Sequence, residues 1–353
     1  MLDLLDPVEI GILAKLVIAR AKVDKTVPDP KNLRKGWRTD ALFGDVDALI
    51  VGQKNDPAAY AEIGRRVLEN EKVKYLPEMA VLAKLAILRG KRLFPLTPVQ
   101  KNVIFGFSED LRSAISASLP DGTRKQRCLE LFLYHLGIFY DALGDFAKAI
   151  KMHEWAAREA GDESSSAAIS LFCAALYRLK SALVVGKTPD GLGALFSDLE
   201  EKFAQLAEAL RGSELEVQWA EGNGPIHMIQ ACVWLNLRNH PRWDDWVRIA
   251  LAATEKLGKA WEPGAGFVRA ANLDAQNDEE AGKALMAVAE NGAASNENNK
   301  IRATALLMLA RRAMQAGERD QAKVLVEKMP EQGAQHVRAI AERMYEDYLI
   351  GRS

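Results

Sequence analysis

Apolar residues recur at helical spacing along nearly the whole chain, and almost no segment shows the alternation that a half-buried strand requires. That pattern limits the chain to helix-on-helix architectures. About sixteen helices are expected, with recognisable starts. Asp56-Pro57 places an N-cap before a proline whose missing N–H costs nothing in a first helical turn. Thr97-Pro98-Val99-Gln100 and Ser213-Glu214-Leu215-Glu216 have the spacing of reciprocal capping boxes. The run Ala48-Leu49-Ile50-Val51 fits a short strand, but helix is favoured there.

Two breaks interrupt the pattern. Asp24 to Arg38 holds Pro28 and Pro30 among charges and cannot continue a helix. Leu119-Pro120-Asp121-Gly122-Thr123 has the chemistry of a tight turn, with proline presetting one angle and glycine tolerating positive φ. The expected organisation is therefore an N-terminal helical segment over 1–119 and a second helical region over 122–353.

That second region contains an internal unit. Residues 130–163 read ELFLYHLGIFYDALGDFAKAIKMHEWAAREAGDE, a helix, a tight turn and a second helix in 34 residues. Leu136, Gly137, Tyr140, the turn Leu143-Gly144-Asp145, and then Ala149 and Ala156 fall at the spacing of a tetratricopeptide (TPR) repeat, which the unit resembles. Gly137 and Ala149 lack bulk where two antiparallel helices approach, and Leu136 and Tyr140 fill the space beside them. Leu133 and Gly161 depart from the residues common in the family. A weaker match covers 303–336, with Leu306, Leu309, Ala310, Ala313, Gly317 and Ala322. Helix pairs are expected between the two, at about 164–211, 214–258 and 260–293.

The resemblance implies an all-α, TPR-like stack of antiparallel helix pairs in a right-handed superhelix, with first helices lining a groove for a protein or peptide partner. Its groove-facing positions correspond here to Leu131, Tyr134, Ile138 and Asp141, and in the later match to Thr304, Leu307, Arg311 and Met314. Tyr134 and Ile138 stand where some members carry a Lys and Asn pair that clamps an acidic chaperone tail, so such tails are disfavoured. The expected role is a scaffold or adaptor. A TPR-fold peptide-sensing regulator of a bacterial signalling pathway is the alternative.

Five of the seven tryptophans lie between Trp219 and Trp261. Core packing is the favoured reading of these rings. Trp243, beside the His240-Pro241-Arg242 turn, is the ring expected to be most accessible and is included among the partner-binding positions.

The remaining composition argues against other classes. Forty-seven Lys and Arg against 48 Asp and Glu leave no general field for nucleic acid or an acidic membrane surface. The basic arm of Lys31, Arg34, Lys35 and Arg38 is diluted by Asp24 and Asp29 and fits a solvated loop. Val184-Val185-Gly186-Lys187-Thr188 lacks the first glycine of a phosphate loop, because Ser181 holds its place, so it reads as a helix-ending turn. The five histidines form no zinc-helix or triad motif, and Cys128, Cys173 and Cys232 lack metal spacing and suit reduced core thiols. Neither catalysis nor a cofactor is expected. The start of the chain suits neither a secretory signal nor a membrane span, which gives a cytoplasmic expectation.

Overall fold

The structure is a computed structural model. It describes residues 130–351, apart from 131–132, 135, 139, 162–163, 214, 238, 259–260, 291–295 and 331–332. The chain divides into two compact units, 1–139 and 140–353, and the elements below belong to the second. The expectations for Asp24–Arg38, Ala48–Val51, Asp56-Pro57, Thr97–Gln100, Leu119–Thr123, Leu131 and Cys128 lie outside the described residues.

Of the described residues, 84% are helical and none are in strands, so the all-α expectation holds for them. After a helical stretch over 140–143 come ten α-helices among the described residues. They are α1 (Phe146–Ala160), α2 (Ser165–Val185), α3 (Pro189–Leu210), α4 (Gly224–Leu235) and α5 (Trp243–Leu257), then α6 (Glu262–Ala275), α7 (Ala281–Glu290), α8 (Asn296–Gln315), α9 (Arg319–Glu327) and α10 (Gln335–Leu349). A π-helical segment, Glu216–Asn223, leads directly into α4.

The local signals act as their chemistry requires. Gly144 takes φ +78° to end the helical stretch, and Asp145 then caps α1 by accepting the Lys148 N–H at 3.2 Å. Gly186 takes the left-handed conformation at the end of α2, and Pro189 opens α3 at its first turn, so the glycine-lysine-threonine run is a helix-ending turn. The second capping box does not form. Glu216 does reach back, but to the N–H of Gly212 at 2.7 Å, and the Ser213 hydroxyl finds no partner among the described residues. A π-helix rather than an α-helix begins there, which shifts the register of the N–H groups that a cap would meet.

Gly224 marks the closest approach at the start of α4. A Cβ on it would lie 2.3 Å from a ring carbon of Phe203 on α3 and 2.7 Å from the Trp219 carbonyl oxygen. Gly224→Ala is expected to lower stability by about 1–3 kcal/mol through overpacking, checked by urea denaturation. An unchanged midpoint would mean that α3 and α4 can separate freely.

Successive helices pack as neighbours from α1 through α10, and later helices also return to earlier ones. α10 packs on α2 and α8, and α8 packs on α4 and α6 as well as on α7 and α9. Two helices consequently lie inside. From Ala303 to Ala310 every residue of α8 is buried, and α2 is buried over most of Ala167 to Leu183. α2 is long and apolar enough to cross a membrane, but its apolar surface is covered by α1, α3 and α10. A helix apolar on all faces belongs in a core of this kind.

Candidate functional site

Three of the expected groove positions instead help to hold the interior together. The Asp141 carboxylate, 2% exposed, meets Lys180 of α2 at 2.8 Å and Lys300 of α8 at 2.9 Å. Burial alone would push the Asp141 carboxyl up, but the ammonium groups of Lys180 and Lys300 outweigh it and hold the group well below the usual carboxylate range. Thr304 accepts the Trp234 indole N–H at 3.1 Å and donates to the Lys300 carbonyl one turn earlier. The Arg311 guanidinium donates to the carbonyl oxygens of Val233 and Trp234, at the C-terminal end of α4, where a cation complements the helix dipole.

The other expected positions are placed as follows. Leu307 and Met314 are buried, and Tyr134 and Ile138 are half-buried. Trp243 is not the accessible ring: it is 4% exposed, opens α5, and donates its indole N–H to Asn272 of α6 at 3.2 Å. Trp234 and Trp246 are buried too, whereas Trp219 and Trp261 are half-buried. Asp141, Thr304, Leu307, Met314 and Trp243 are therefore not displayed to solvent. For Thr304, Leu307 and Met314 the physical reason is the packing of α4 and α10 on α8, whereas Trp243 is held against α6. Tyr140, expected in the core, is buried.

Beside Asp141 and the two lysines lies His336 of α10, fully buried. Its ring meets Trp234 edge-on at 4.5 Å and Phe146 at 5.9 Å, and neither nitrogen finds a hydrogen-bond partner among the described residues. Burial, followed by the ammonium groups of Lys180 and Lys300, pushes this imidazole well below the ordinary histidine value, with Asp141 opposing them. The unfolded chain therefore takes up a proton near about pH 6.5 that the folded chain refuses. His336 contributes stability that is complete above that pH and is lost as pH falls below it, by up to about 1.4 kcal/mol per pH unit. Denaturation midpoints measured between about pH 6.5 and 5 should fall less steeply in His336→Phe than in the parent chain. Equal slopes would contradict the buried neutral imidazole. Asp141 acts in a separate window, because its contribution is complete above about pH 4 and weakens only below it.

An open cleft lies at the corner between α4 and α5. It has a volume of about 530 Å³ and is lined by Asn236, Leu237, Asn239, His240, Pro241 and Gln315. Asn236 ends α4 in the left-handed conformation, which turns the chain outward, and Gln315 is the last residue of α8. His240 is half-buried and held by several neighbours. Its ring stacks on Trp246 with centroids 4.9 Å apart, meets Phe196 edge-on at 5.4 Å, and its Nδ1 accepts the Arg242 N–H at 3.3 Å. That assignment leaves the proton on Nε2, facing Glu200 of α3 at 3.4 Å. Leu237 stands 38% exposed beside it.

The His240-Pro241 turn was legible in the chain, whereas Asn236 was not singled out, although asparagine's tolerance of the left-handed region is a local signal. The approach of Gln315, 79 residues later than Asn236, has no local signal.

Reactive chemistry is otherwise subdued. No group of three or more His, Cys, Asp or Glu side chains placed to hold a metal occurs among the described residues. Cys173 and Cys232 are buried, in keeping with the expectation of core residues, and burial together with the nearby Glu200 carboxylate pushes the Cys232 thiol up to about 12. Comparison of the chain with protein-family models, with curated proteins and with solved structures finds no match.

Proposed function

We propose that this chain is a non-catalytic docking protein, a scaffold or adaptor that holds a protein partner, with its helix pairs arranged as a TPR-like stack. The corner cleft is the observation that carries the reading, because it is concave, lies in the range of about 300–1,000 Å³ usual for ligand clefts, and pairs an exposed leucine with carboxamides. The packing of successive helices and the burial of Tyr140, Ala149 and Ala156 support the stacking. The buried, free thiol of Cys232 suits a reducing, cytoplasmic setting. The partner-binding role first assigned to Leu131, Tyr134, Ile138 and Arg311 becomes secondary to the cleft.

The modest cleft volume also favours the alternative, a peptide-sensing regulator. Cross-linking and affinity capture of the full chain from its native host test the docking reading. A stoichiometric protein partner cross-linked to the 236–241 turn is expected, and a chain that elutes alone after cross-linking contradicts it. A short peptide that compacts the chain in small-angle scattering, with no folded partner, selects the sensor instead.

A further inference from the structure

α10 buries His336, Val337, Ile340 and Ala341, while Glu342, Glu346 and Asp347 on its outer side are exposed. Its buried apolar anchorage is therefore two branched side chains and a methyl group. A polar anchor is Arg343, which donates to the Leu183 and Val184 carbonyl oxygens at the end of α2, where Val184 is exposed and water can replace it. The imidazole of His336 works against docking. Both its nitrogens are buried without a hydrogen-bond partner among the described residues, and its ring meets Trp234 of α4 and Phe146 of α1. Water would satisfy both nitrogens if α10 moved away.

The charges that act on this ring come from three other elements: Lys180 of α2, Lys300 of α8 and Asp141 ahead of α1. α4 carries no charged side chain, and its His227 faces Gln230 at 3.1 Å. Near Phe146, Lys148 pairs with Asp145 at 2.9 Å. The charged residues of α9, Arg319, Asp320, Lys323 and Glu327, are exposed, and on α10 itself Arg338 pairs with Glu342 at 2.7 Å. Two ammonium groups thus oppose a proton on His336 and one carboxylate favours it, so the docked ring stays neutral. The ion-paired cluster does not depend on α10. Asp141 binds Lys180 and Lys300 directly, and α8 also packs on α4, α6, α7 and α9.

We infer that α10 is an acid-released latch, a helix that mild acid detaches from α2 and α8 while the other helices of the unit stay packed, uncovering the surfaces it covers on both. The released imidazole enters water and takes up a proton that the docked ring refuses. Docking is therefore complete above about pH 6.5 and weakens as pH falls below it. Asp141 does not enter this window, because it protonates only below about pH 4. The latch is independent of the docking reading above and needs no partner.

Hydrogen exchange of the full chain, followed by mass spectrometry and corrected for the intrinsic rate at each pH, tests the latch. The slowest amides of 335–349 should be less protected than those of 303–311 at every pH. Their protection should fall about tenfold between about pH 7.5 and 5.5, the ratio set by an ordinary histidine in the released helix. In His336→Phe that fall should vanish, because phenylalanine keeps the ring contacts and takes up no proton. Equal protection of the two segments would show that α10 leaves only when the whole unit unfolds, and would overturn the inference. Protection of 335–349 that ignores pH, or a fall that persists in His336→Phe, would overturn it as well. Should the variant not fold, the two measurements on the parent chain decide alone.

Discussion

Asp141→Ala is expected to destabilise the helical unit by about 3–5 kcal/mol, because it removes a buried carboxylate that is ion-paired with two buried ammonium groups. The magnitude follows from burial. Asp141 and Lys180 are almost wholly shielded from water, so each charge gave up its hydration when the chain folded, and the attraction between them offsets that cost only while both are present. The position matters as much as the charge. Asp141 precedes α1, Lys180 lies on α2 and Lys300 on α8, so one carboxylate joins the beginning of the unit to a helix about 160 residues later. Replacing Lys300 by Met in the Asp141→Ala background should recover part of the loss, since one of the two buried positive charges is removed. Urea denaturation of the two single variants and the double variant measures this as a coupling energy. A loss below about 1 kcal/mol in Asp141→Ala would mean that water reaches the lysines when the carboxylate is gone.

Trp246→Ala should cost a similar amount, about 3–5 kcal/mol, through the cavity left by a ring that is completely buried. The indole packs under His240 and beneath the Arg242 guanidinium, whose centre is 5.5 Å from the ring, so its removal also loosens the corner that shapes the cleft. Trp246→Phe should cost much less. The Trp246 indole N–H has no hydrogen-bond partner among the described residues, so phenylalanine keeps most of the apolar contact and deletes an unpaired donor. Thermal unfolding followed by calorimetry separates the two variants. Equal losses would show that the indole N–H is satisfied in solution.

The helix pairs were largely readable in the chain because their signals are local. The expected pairs at about 164–211, 214–258 and 260–293 correspond to α2 with α3, the π segment and α4 with α5, and α6 with α7. Gly144, Asp145, Gly186 and Gly317 each act through their own backbone or a neighbour within a few residues, which is why their roles follow from residue type.

What lies over α8 was not readable, and the reason is specific. Lys300, Thr304 and Arg311 recur at helical spacing and look like the polar face of a groove. Each is satisfied by a distant group: Lys300 by Asp141, Thr304 by the Trp234 indole, and Arg311 by two carbonyl oxygens of α4. A buried polar residue with a remote partner has the same local pattern as a solvated one. The corner cleft was half visible for the same reason, since the turn chemistry of His240-Pro241 is local while the arrival of Gln315 is tertiary.

Hydrogen exchange in the free chain and in its partner complex tests most directly the central claim, that α8 is interior and that docking takes place at the corner. Residues 303–311 should exchange only through global unfolding in the free chain and remain unchanged on binding, while residues 236, 237, 239 and 240 should exchange readily and become protected in the complex. Fast exchange along α8 that slows when the partner binds, with the corner unaffected, would contradict the account and restore the open groove.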